Sequence, residues 1–172
     1  MSETLESKTT AKHPTRASAH QGLQAGALGA TVVWLWFAVS DWLNGSPLHL
    51  ATMFGRGLLD LVGGATASIW PPVLVFTIVH FAYWVLLAVI ILKFVEAARG
   101  NPSVLGLAAT LFILAQFLFA GITAILSNGG LGVFAWPSVW LGNFAGWAAA
   151  WWLIERHHPE LRGEFRHMND DV

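Results

Sequence analysis

The chain has 172 residues, 55% of them hydrophobic and only 11% charged, with a formal net charge of -1. Such a balance departs from that of a soluble domain in the direction of an integral membrane protein with one compact domain. No basic stripe is available for nucleic acid, and the lack of cysteine excludes disulfides, thiolate-held iron–sulfur clusters and covalently attached c-type haem.

Residues 1–21 are polar and interrupted by Pro14, with no apolar run near the start, so they are expected to form a disordered tail and not a cleaved leader. A transmembrane domain is expected over 22–155, followed by a charged tail over 156–172. The first span runs from about Leu23 to Leu43 and carries Gly22, Gly26 and Ala30 at four-residue spacing. Small residues in that register form a flat stripe on which another helix backbone can approach closely.

Ser46 and Pro47 then read as an N-cap followed by proline at the first helical position. Leu50, Met53, Phe54, Gly57, Leu58, Leu61 and Val62 recur with helical period, with His49, Thr52, Arg56 and Asp60 on the opposite face, until Gly63 and Gly64 stop the pattern. At about 16 residues with a charged face, this segment is too short and polar to cross a bilayer, and a short amphipathic interfacial helix is expected. His49, Arg56 and Asp60 read as its solvated face, with a ligand or metal site as the alternative use.

From Val73 to Leu92 every residue is apolar or weakly polar except His80, with Pro71 and Pro72 at the entrance and Lys93, Glu96 and Arg99 at the exit. About 20 residues at about 1.5 Å each match a hydrocarbon thickness of roughly 30 Å, so this is the second span. The third is expected from about Val104 to Leu126, between Asn101-Pro102-Ser103 and the turn Ser127-Asn128-Gly129-Gly130. The fourth runs from about Leu131 to Ile154, beginning or kinking at Pro137, and repeats a small-residue stripe at Gly142, Gly146 and Ala150. Spans one and four are therefore expected to pack closely, within the chain or against neighbours. The fold class that results is an all-α membrane protein with four transmembrane helices and one interfacial helix between spans one and two.

Lys8, Lys12, Arg16, Lys93, Arg99, Arg156, Arg162 and Arg166 lie on one side of that arrangement and only Arg56 on the other. By the positive-inside rule both termini are expected in the cytoplasm, as in a multi-pass inner-membrane protein. Trp42, Trp70 and Trp136 then fall at the outer interface, and Trp151 with Trp152 at the inner one, as aromatic belts require.

Measured from the cytoplasmic end of each span, His80 is 12 residues from Leu92, Gln116 is 12 from Val104 and Asn143 is 11 from Ile154. All three therefore lie roughly 17–18 Å deep. An imidazole or carboxamide facing hydrocarbon lacks partners, so a shared polar layer of His80, Gln116 and Asn143 is expected, with Tyr83 and Thr31 about one turn nearer the cytoplasm. The layer serves either as helix–helix glue or as a cofactor site in which His80 ligates a tetrapyrrole metal. Trp34, Trp36, Trp84 and Trp147 are deep enough to pack against a pigment, carotenoid, quinone or lipid tail, or simply against one another.

Enzymatic chemistry has little to stand on: there is no HExxH, GxSxG, glycine-rich phosphate loop or carboxylate pair at membrane depth. Small four-helix multidrug exporters use a glutamate deep in their first helix, and the only acid within a span here is Asp41, near the outer end. His157, His158 and His167 with Glu155 and Glu160 form a tail cluster expected to be solvated. Gly26 and Gly29, Trp36-Phe37, Asp41, Gly45-Ser46-Pro47-Leu48, Val79-His80-Phe81 and His158-Pro159 together resemble a group of small bacterial four-helix membrane proteins, over Gly22 to Leu161. The resemblance implies the same topology and nothing about catalysis. The expected function is that of a non-catalytic accessory subunit packing against other transmembrane subunits and lipid in a photosynthetic or respiratory electron-transport complex. A small binder of a tetrapyrrole, carotenoid, quinone or lipid is the alternative, and a small transporter the second.

Overall fold

The structure is a computed structural model and describes residues 15–64, 66–98, 103–126 and 132–157. Among these residues it is all-helical: α1 (Thr15–Leu43), α2 (His49–Asp60), α3 (Trp70–Ala98), α4 (Ser103–Leu126) and α5 (Gly132–His157). Two stretches, His20–Leu43 of α1 and Trp70–Phe94 of α3, are long and apolar enough to cross a membrane. α4 and α5 have 24 and 26 residues.

The helix boundaries follow local chemistry. Pro71 and Pro72 stand in the first turn of α3, where a missing N–H removes no intrahelical bond, and Val73 N–H makes an early bond to Ile69 O at 3.2 Å. Pro137 neither starts nor ends α5; the helix runs through it from Gly132. α1 begins at Thr15, so the expected tail over 1–21 is helical in its last part, and residues 1–14 and 158–172 lie outside the described residues. The turn expected at 127–130 lies outside them as well.

The short helix between α1 and α3 is shorter than its periodicity implies and is capped differently. α2 has 12 residues, and Leu48, not Ser46, occupies the N-cap position, in the left-handed region at φ 62. Leu50, Ala51, Phe54 and Gly55 form its buried face. Leu61 and Val62, expected on that face, lie beyond the helix end and are 72% and 79% exposed.

α1 is the central helix: α3 packs on one side of it and α5 on another, while α3 also carries α2 and α4. Ala30, Val33, Phe37, Leu50, Phe54, Phe76, Trp84 and Val139 form a core toward the α2 end. Ala25, Ala88, Leu92, Ala150 and Ile154 form a second core toward the other end. The small-residue stripes explain the close approach. A Cβ on Gly26 would lie 2.5 Å from Val85 Cα, so Gly22 and Gly26 face α3; one on Gly146 would lie 2.4 Å from Val33 Cγ2 and 2.9 Å from Gly29 O, so the α5 stripe faces α1. α1 and α5 do pack together within the chain, as expected from their small residues, but through Gly29 on α1 and not through the Gly22–Gly26 line.

Candidate functional site

Four polar side chains are buried among the described residues: Asp41, His80, Gln116 and Asn143. The three that the sequence places at one depth are all inside the protein, but they do not form one layer. His80 is on the α1-facing side of α3, where its Nε2–H donates to Ala30 O at 3.1 Å. Its ring stacks on Phe76 at 5.3 Å between centroids and meets Phe81 and Trp84 at 6.0 and 6.3 Å. Close packing around Ala30, whose single methyl group is too small to hold the imidazole off the backbone, makes that bond possible. The Nε2 that would ligate a tetrapyrrole metal is thus engaged in a helix–helix hydrogen bond.

Gln116 and Asn143 belong to a different place. They line one crevice between α4 and α5 together with Phe119, Ala120, Trp136, Val139 and Trp140. Its volume is about 10 Å³, room for one water-sized group. The two residues are 8% and 7% exposed, and neither carboxamide has a hydrogen-bond partner among the described residues.

Tyr83 turns toward α4, stacked on Phe119 at 5.7 Å, and its buried Oη also has no partner among the described residues. Thr31 is not part of any layer: it is exposed, and its hydroxyl donates to Ala27 O of its own helix at 2.8 Å. The expected shared layer therefore resolves into a His80–Ala30 joint, an amide-lined crevice reached from Tyr83 through Phe119, and a Thr31 turned outward. Depth alone does not say which way a helical side chain points, and the azimuth of about 60° between positions three apart on α3 is enough to turn His80 to α1 and Tyr83 to α4.

The deep tryptophans serve helix contacts. Trp84 and Trp147 meet at 5.4 Å between α3 and α5, and Trp34 Nε1–H donates to Thr77 Oγ1 at 3.2 Å. Trp36 Nε1–H donates to Ser138 O at 2.9 Å and lies 3.1 Å from Ser138 Oγ, which is itself 3.3 Å from Ser40 Oγ. Ser138 is a residue that sequence reasoning passes over, since nothing in its neighbourhood marks it until α5 is laid against α1. Of the belt residues, Trp42, Trp70 and Trp152 are exposed, with Arg156 held 5.5 Å over the Trp152 ring.

No cluster of metal-ligating side chains occurs among the described residues. His49, Arg56 and Asp60 project from the exposed face of α2. Comparison with protein-family models, with curated proteins and with solved structures finds no match.

Proposed function

We propose that this chain is a non-catalytic accessory subunit of a larger energy-transducing membrane complex, inserted through four spans into a bacterial inner membrane with both ends in the cytoplasm. α1, α3, α4 and α5 are the spans in this reading, and α2 lies on the outer surface, leaving Arg56 the only outer cation.

The observation that carries it is the contrast between the inner and outer faces of the bundle. Inside, indole and imidazole donors fasten one helix to the next, at Trp34–Thr77 and His80–Ala30, and Trp36–Ser138 adds a further clasp at the exposed rim. Outside, α4 presents Leu107, Ile113, Leu114, Leu118, Ile122 and Ile125, all exposed, and it leans on α3 as its principal support. A long apolar helix held from one side suits insertion between lipid and the helices of a neighbouring subunit.

The test is purification in a mild detergent followed by sizing on a native gel, with a photocrosslinking residue at Leu118. Migration with a much larger assembly and a crosslink from Leu118 to another polypeptide are expected. A lone chain that crosslinks only to lipid would overturn the reading.

A further inference from the structure

The α4–α5 crevice gathers two buried carboxamides, Gln116 and Asn143, in one small cavity. Gln116 and Asn143 are each more than nine-tenths buried, unpartnered among the described residues, and turned toward the same small cavity. Its remaining walls are aromatic or aliphatic, and no charged residue lines it. Two carboxamides offer N–H donors and carbonyl acceptors to an uncharged guest, while indole and phenyl rings offer flat faces. The cavity admits one oxygen-sized group, and the seam behind it is loose, since α4 packs on α3 and α5 on α1. At that point the two helices meet through the Phe117 and Trp140 rings, edge to face at 6.3 Å.

We infer that the α4–α5 seam binds the carbonyl end of an uncharged, flat, lipid-soluble molecule of the quinone class, with Gln116 and Asn143 donating hydrogen bonds to its oxygen. Such a guest satisfies the amides, stacks its ring on the aromatic wall and keeps its tail in lipid. A charged headgroup would find no counter-charge in the crevice. The inference concerns this chain's own interior and is independent of whether other subunits are attached.

The full chain in phosphatidylcholine nanodiscs, titrated with decylubiquinone, provides the test through tryptophan fluorescence. A saturable quenching component at one quinone per chain is expected above the linear quenching that partition into lipid gives. Gln116→Leu and Asn143→Leu each raise the half-saturation concentration by roughly tenfold, the equivalent of one lost hydrogen bond, while Thr31→Val leaves it unchanged. Absence of the saturable component in the unaltered protein, as for a crevice that holds only water, would overturn the inference. So would saturable quenching that neither substitution weakens. Should circular dichroism show a variant unfolded, the infrared frequency of ¹³C-carbonyl decylubiquinone bound to the unaltered protein decides: a downward shift supports the hydrogen bonds, and an unshifted band removes them.

Discussion

Asp41 Oδ2 accepts the backbone N–H of Leu50 at 2.8 Å, so the last turn of α1 supplies the cap that α2 lacks on its own. Leu48 holds the N-cap position with a left-handed backbone and no side-chain hydrogen bond. A carboxylate at a helix N-terminus satisfies an orphan amide and meets the positive end of the dipole. It also locks the angle between a long helix and a short one across a turn containing Gly45 at φ 71.

Replacing Asp41 by alanine removes that cap and is expected to destabilise the fold by about 1–2 kcal/mol. Asp41→Asn keeps an oxygen acceptor and loses less. The signature is local: hydrogen exchange of the first-turn amides of α2 accelerates in Asp41→Ala while the amides of the middle of α3 keep their protection. Uniform acceleration of both would show that Asp41 does not act as a cap.

α2 is held to α3 by a close backbone approach at Gly55. A Cβ there would fall 1.9 Å from Pro72 O and 2.7 Å from Pro72 Cα, and backbone atoms cannot move aside as a flexible side chain does. Gly55→Ala is therefore expected to cost about 3 kcal/mol, the upper end of overpacking effects, by lifting α2 off α3. Gly121 in α4 makes the opposite case, with open space where its Cβ would stand. Gly121→Ala is expected to stabilise by about 0.5–1 kcal/mol through helix propensity. Unfolding both variants by denaturing-detergent titration in micelles separates them by sign.

His80 tests whether the imidazole is a joint. Its hydrogen bond to Ala30 O contributes about 0.6 kcal/mol, the average for such bonds in membrane proteins. The Phe76 stack adds about 0.5–1.5 kcal/mol. His80→Phe keeps the ring and leaves nothing orphaned, because a carbonyl in mid-helix also accepts from its own helix, so a loss under about 1 kcal/mol is expected. His80→Ala opens a cavity and is expected to lose about 2–4 kcal/mol. Equal losses from the two variants, measured by the same detergent titration, would mean that the hydrogen bond and not the packing carries the site.

Much of the fold is written in the sequence as hydrophobic length and small-residue spacing, and the long helices, the close approach of α1 and α5 and the burial of His80, Gln116 and Asn143 were legible there. What separates His80 from the amide pair was not, because residue counts along helices fix height and leave azimuth to packing. α2 shows a related failure. Periodicity carried the apolar face through Leu61 and Val62, but the chain turns after Asp60, and a Ser-Pro pair that reads as a helix start was displaced by a carboxylate nine positions before Leu50. A cap delivered from another helix leaves no local signature. The aromatic rings were legible as bulk, yet which of them would find a hydroxyl, as Trp34 finds Thr77, depended on helix pairing that the sequence does not encode locally.

The α1–α5 interface offers a test of coupling. A Cβ at Gly146 would lie 2.4 Å from Val33 Cγ2, 2.9 Å from Gly29 O and 2.9 Å from Trp84 Cη2. Gly146→Ala must therefore push α5 away from both α1 and the Trp84 ring, which weakens the Trp84–Trp147 contact and strains Trp36–Ser138. Val33→Ala alone loses buried methyl groups at a cost of about 1–3 kcal/mol. In the double variant the Val33 obstacle is gone although the Gly29 carbonyl remains, so the combined loss should be smaller than the sum of the two, by about 0.5–2 kcal/mol of coupling. Strict additivity in a double-mutant cycle, with tryptophan emission unshifted in Gly146→Ala, would mean that α5 is not seated on α1 through this glycine.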